Sequence, residues 1–261
     1  MLGTSPLIFL LRRDRAVVIT SLVGIITLAW LYILHGAGMD MRAIADMAMP
    51  TATMAWRPDY FALMLIMWAV MMAAMMLPSA APTILLYTVI ARKRREQGEI
   101  VAWTGIFALG YGAVWLAFSL AATTLQWRLD AAALLSPMMM ITNAAVAGSV
   151  LIAAGFYQWS PFKLTCLRKC QSPFTFFLEN WREGAWGALS MGLRHGLFCV
   201  GCCWVLMLLL FVGGVMNIVW IIGLSLFVLA EKTMPPSDWL RRAAGTIFII
   251  WGGVTLMKVA I

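Results

Sequence analysis

Residues 191–204 read Met-Gly-Leu-Arg-His-Gly-Leu-Phe-Cys-Val-Gly-Cys-Cys-Trp and place His195, Cys199, Cys202 and Cys203 within nine residues. Sulfur ligands select Cu(I), and cysteine with histidine also suits zinc. On a helix each residue advances about 100°, so Met191, His195, Cys199 and Cys202 fall within one arc of about 80°, with Cys203 at its edge. A stripe of ligands along one helix does not converge on one ion. A neighbouring segment must contribute, or the helix must unwind. Gly192, Gly196 and Gly201 permit either, because glycine allows close helix approach and unusual backbone geometry. The competing reading is packing, since a buried cysteine behaves as a small hydrophobe.

A second constellation is Met71-Met72-Ala73-Ala74-Met75-Met76-Leu77-Pro78. Met64, Met67, Met71 and Met75 share an arc of about 80° by the same arithmetic. A thioether row suits Cu(I), although methionine is also a flexible core filler. Pro78 removes a backbone donor and predicts a kink, with Ser79 placed to satisfy freed carbonyls. Counted from Tyr60, Met75 lies roughly 22 Å along the helix, so it could meet the cysteine cluster if the two helices are neighbours.

The third constellation is Cys166-x3-Cys170, two thiols one helical turn apart, with Lys163, Arg168 and Lys169 beside them. Nearby cations favour thiolate and suit a site that exchanges metal with a soluble carrier or with the His195 group. Two loop thiols without a role are the alternative. A Met-rich segment over 36–59, with Met39, Met41, Met47, Met49 and Met54, reads either as a surface amphipathic helix or as a collector of soft ions.

The elements that must position these groups are set by composition. The chain has 261 residues, 63% apolar and only 11% charged. A soluble domain is about half apolar and a quarter charged, so the composition predicts an integral membrane protein. The expected fold is all-α, a polytopic transmembrane bundle of six to seven spans forming one domain over 1–261. The candidate spans are 16–35, 60–90, 100–124, 131–157, 186–214, 217–231 and 243–260; roughly 20 apolar residues cross a bilayer, so the second and fifth are long enough to tilt or kink and the sixth is short. The run after Arg12, Arg13 and Arg15 exceeds a signal-peptide core and reads as a retained helix.

The net charge of +8 does not point to nucleic acid, because the cations cluster between apolar runs. Arg92–Arg95, the 163–182 group and Lys232, Arg241 and Arg242 alternate with weakly charged loops, which puts the N-terminus in the cytoplasm. The five cysteines then face a reducing compartment, where free thiols or thiolate ligands are expected rather than disulfides. Glu231-Lys232 reads as a self-neutralised interfacial pair, Asn143 and Asn217 as bonds across helices, and His35 as interfacial. The sequence carries no phosphate-binding loop and no paired carboxylates within its apolar spans, so ATP-driven and proton-coupled transport lack support.

Trp68 through Pro82, Lys163 through Pro173, Gly192 through Met207 and Gly213 through Lys232 together resemble a bacterial family of predicted metal-binding integral membrane proteins of unassigned function. The resemblance runs over most of the chain from about residue 60. It implies metal binding, most plausibly of copper, with zinc second, in a bacterial inner membrane. The expected ligands are His195, Cys199, Cys202 and Cys203, completed or fed by Met71, Met72, Met75 and Met76, with Cys166 and Cys170 as the exchange point. The expected partners are the lipid bilayer and a metal carrier or metalloenzyme client. A membrane redox enzyme (a thiol oxidoreductase, or a metal-dependent oxidase or oxygenase) is the alternative, and an assembly subunit with packing cysteines is a third.

Overall fold

The computed structural model describes residues 6–36, 56–234 and 238–260. Of the Met-rich segment, Met39, Met41, Met47, Met49 and Met54 lie outside the described residues. The described residues are helical apart from turns and one isolated bridge, in agreement with an all-α fold. The helices are α1 (Pro6–Leu34), α2 (Pro58–Glu96), α3 (Thr104–Ala131), α4 (Ala144–Trp159), α5 (Pro161–Gln171), α6 (Pro173–Asn180), α7 (Gly184–Leu208), α8 (Leu210–Gly213), α9 (Ile218–Thr233) and α10 (Asp238–Ala260).

Four helical runs are long and apolar enough to cross a membrane: Ala16–Leu34, Pro58–Glu96, Thr104–Ala131 and Gly184–Gly213. Six to seven such spans are not supported among the described residues. The expected span 131–157 does not form, because Pro137 and the left-handed residues Ala133 and Met139 hold 132–143 in a tight turn. The helix that follows has 16 residues, as does α9. At 1.5 Å per residue each is about 24 Å long, short of the roughly 30 Å hydrocarbon core. Asn143 makes no bond to another helix among the described residues, whereas Asn217 Nδ2 donates to Gly213 O of α8 at 3.1 Å. They cap α4 and α9, accepting from Ala145 and Val146 and from Trp220 respectively.

α2 is the central element, packing against α1, α3, α9 and α6. It runs unbroken through Pro78 and Pro82. The Ser79 hydroxyl donates to Met76 O at 2.9 Å, not to the Ala74 carbonyl that Pro78 cannot reach. Its buried side chains include Met64, Met67, Met71 and Met75 on the expected arc, and Met72 and Met76, which widen that arc to about 180° of the helix.

α3 and α7 cross at backbone contact. A Cβ on Gly192 would lie 2.1 Å from Phe107 O, and one on Gly110 would lie 2.4 Å from Leu189 O. Any side chain there would force the helices apart, the usual reason for small residues at tight crossings. α7 stays continuous through its cysteines, so its glycines serve close approach and not unwinding. The outward faces are apolar, with Leu109, Leu116, Val219, Leu226, Ile247 and Ile250 exposed.

Candidate metal centre

His195, Cys199, Cys202 and Cys203 are all buried on α7, and all five cysteines are free thiols. The neighbours that meet them come from α2, α3, α5 and α9. The Cys203 thiol donates to Met76 Sδ at 3.8 Å and to Cys199 O at 2.8 Å, while the Cys202 thiol donates to Cys199 O at 3.1 Å. The methionine helix and the cysteine helix thus meet at Met76 and Cys203, a juxtaposition that depth alone left open. Of the four expected methionines, Met76 reaches the cluster. Met71 instead borders a cavity, and Met72 and Met75 are buried in the core.

The most consequential group at the site is Lys232, which closes one of the family-like motifs but is not among the expected ligands. Lys232, on α9, donates to Cys199 Sγ at 2.9 Å and to Ser79 Oγ at 3.1 Å, with Met76 Sδ at 4.0 Å. Tyr111, on α3, shares a 3.1 Å hydrogen bond with Cys199 Sγ and donates to Met76 O at 3.4 Å. A buried ammonium therefore sits among two sulfurs and a hydroxyl. Burying a charge is costly unless strong partners receive it, and here Cys199, Ser79 and Met76 are those partners.

Glu231 and Lys232 do not neutralise each other. Consecutive helical residues point about 100° apart. Glu231 turns to Lys163 of α5, with Oε2 2.8 Å and Oε1 3.0 Å from Nζ, both side chains buried. Gln158 Nε2 donates to the same carboxylate at 3.3 Å, and Gln171 Nε2 to the Glu231 carbonyl at 2.7 Å. This network clamps α5 to α9 and leaves Lys232 free to face the sulfurs. Adjacency in the chain, Glu231 next to Lys232, suggests the wrong pairing.

The Cys166/Cys170 helix docks on the same centre. Cys170 and Cys202 are hydrogen-bond partners. Cys166 Sγ fills the space left by Gly201, where a Cβ would be 2.8 Å from it. Tyr157 donates to the Gly201 carbonyl alongside. The expected thiolate character is not found at these two positions. Burial pushes the Cys166 thiol up, and the hydrogen bond to Cys202, then burial, holds Cys170 well above the usual thiol range. The nearby cations do not counter this: Lys163 is spent on Glu231, and Lys169 pairs with Glu179.

His195 lies beside this centre in an aromatic cage. Its ring centroid is 5.4 Å from Phe176, 5.7 Å from Tyr111 and 6.2 Å from Phe107. Its Nδ1 is buried without a hydrogen-bond partner among the described residues. Among the described residues no three His, Cys, Asp or Glu side chains converge to hold a metal ion. What converges is a mixed set: thiols of Cys199 and Cys203, the Met76 thioether and the Lys232 ammonium. His35, by contrast, stays apart at the end of α1, its Nδ1 2.7 Å from Leu31 O.

Comparison with known proteins gives one match. No curated protein and no solved structure matches the chain. A family model described as PpoB2, copper chaperone, matches residues 65–255. That interval contains every side chain of the centre just described, from Met76 to Lys232. The chain belongs to the PpoB2 copper chaperone family.

Proposed function

We propose that this protein is a multi-pass bacterial inner-membrane protein that carries Cu(I) as cargo and passes it to a partner, with its N-terminus in the cytoplasm. The observation that carries the reading is the meeting of Met76, Cys199 and Cys203 around the Lys232 ammonium. Soft thiol and thioether donors favour a soft monovalent ion, and a monovalent cation already has a place among them. An arriving Cu(I) replaces the ammonium, and Cys199, Cys203 and Met76 supply sulfur to it. His195, with its unpartnered Nδ1, and Cys202 are the further donors that α7 carries. Cys170, bonded to Cys202, is the exit toward a carrier or metalloenzyme client. Family membership supports copper over zinc.

Membrane placement rests on the four long apolar helices and on the apolar outward faces of α9 and α10, which extend the lipid-facing surface beyond those four. The shorter α4 and α9 complete the crossing by local thinning or by their adjoining turns.

The test is copper content after anaerobic purification. Wild-type protein should hold copper, and Cys199→Ser/Cys202→Ser/Cys203→Ser should lose the copper that resists a chelating wash. Retention of that copper would end this reading. Thiol trapping of the wild-type protein with and without reductant separates the thiol-oxidoreductase alternative, which requires a reversible disulfide at Cys202-Cys203 or Cys166/Cys170.

A further inference from the structure

A second sulfur site lies away from the thiol centre. A cavity of about 40 Å³ is bounded by Met67 and Met71 of α2 and by Met216 of the turn before α9. Its other side-chain walls are aliphatic, among them Ile33 of α1 and Ile218 and Ile221 of α9. The three methionines are 3%, 2% and 7% exposed, so their thioethers are screened from bulk solvent. One water needs about 10–15 Å³ of such space, so the cavity has room for a small ion.

We infer that this cavity is a receiving site for Cu(I), held by the thioethers of Met67, Met71 and Met216. The inference rests on the reading of copper as cargo. Three considerations select the ion. The cavity offers no carboxylate or imidazole, so hard divalent cations find none of the oxygen ligands they need. Neutral thioethers do not offset a double charge in an apolar wall, whereas they suit a soft single charge. The site also requires two elements distant in sequence, so it is assembled only in the folded chain.

Position gives the site its role. From Tyr60, at 1.5 Å per residue, Met67 lies about 10 Å and Met71 about 16 Å along α2. Met75 is one turn further, and Met76 touches Cys203 at 3.8 Å. The cavity therefore lies on the Tyr60 side of the thiol centre, away from the basic end at Arg92–Arg95. Met71 and Met75 lie one turn apart between the two. Copper entering from the Tyr60 side meets neutral thioethers first and the thiols last, from weaker to stronger donors.

The experiment is anaerobic titration with Cu(I) alone, in competition with a chromogenic chelator, on detergent-purified full-length protein. Cys199→Ser/Cys202→Ser/Cys203→Ser should retain one weaker Cu(I) per chain, with an X-ray absorption spectrum showing thioether sulfur. Adding Met67→Leu/Met71→Leu/Met216→Leu should weaken that ion at least tenfold. Leucine keeps the volume and apolarity, so folding should survive. Met216→Leu alone, at a turn, should produce a measurable part of the same loss. The inference is overturned if the triple-serine protein, which keeps Cys166 and Cys170, shows no thioether-bound Cu(I), or if its copper is unchanged by the leucine substitutions. Loss of the thiol-bound ion leaves the thioether ion in place, so failure of the thiol centre and failure of the cavity read out separately.

Discussion

Lys232 Nζ stands 2.9 Å from Cys199 Sγ, on a helix 33 residues further along the chain. The contact brings α9 onto α7 and puts a fixed positive charge where a copper-handling site would receive its ion. The ammonium also bonds Ser79, so a third helix, α2, shares the same point. Because charge-assisted hydrogen bonds contribute about 1.5–3 kcal/mol each, displacing Lys232 is a real cost of loading.

Lys232→Met removes that competitor and adds a thioether. The apparent Cu(I) affinity of the thiol centre should rise about tenfold or more, by the energy of the lost ammonium contact. Chelator competition measures it. Equal or weaker binding would show that Lys232 assists loading rather than opposing it.

Glu231→Gln leaves Lys163 buried without its counter-charge, and Lys163→Met does the reverse. Each should cost about 3 kcal/mol, the scale of breaking a buried pair. The double variant Lys163→Met/Glu231→Leu should recover much of the loss, since both charges are then gone. Thermal unfolding in detergent reports this. Near-wild-type melting of both single variants would mean that the pair does not clamp α5 to α9.

Gly192→Ala should destabilise by about 1–3 kcal/mol, because its Cβ would meet the Phe107 carbonyl at 2.1 Å and only a helix shift relieves that. The control is Gly112→Ala on α3, where nothing lies within 4 Å. It should be neutral or slightly stabilising, since alanine favours helix over glycine. The two melting curves compare a close crossing with an open face.

Cys166 and Cys170 both have thiol pKa values above the ordinary range, so at pH 8 each carries less thiolate than a free cysteine. Alkylation at pH 8 should be slower than for a model thiol, and the rate should keep climbing past the pH where the model thiol levels off. Peptide-resolved mass spectrometry follows each site. Faster alkylation than the model thiol would show that the basic neighbours win after all.

Helix content and core membership follow from composition, because long apolar runs leave the backbone no partner but itself. The ligand types were legible too: His195, the three α7 cysteines and the α2 methionines announce soft-metal chemistry by residue type alone, and the glycines of α7 announce a close crossing. The span count was not, since Pro137 and the left-handed Ala133 and Met139 break a run that hydropathy reads as continuous. Nor was the partner of any charged group in the core. Lys232 and Glu231 are neighbours in the chain, and only the packing of α9 between α2, α5 and α7 sends one to a cysteine and the other to Lys163. A side chain's type is fixed by the sequence, but which atoms it meets depends on helix rotation and crossing. Those are settled by contacts such as Gly192 on Phe107, between residues 85 positions apart.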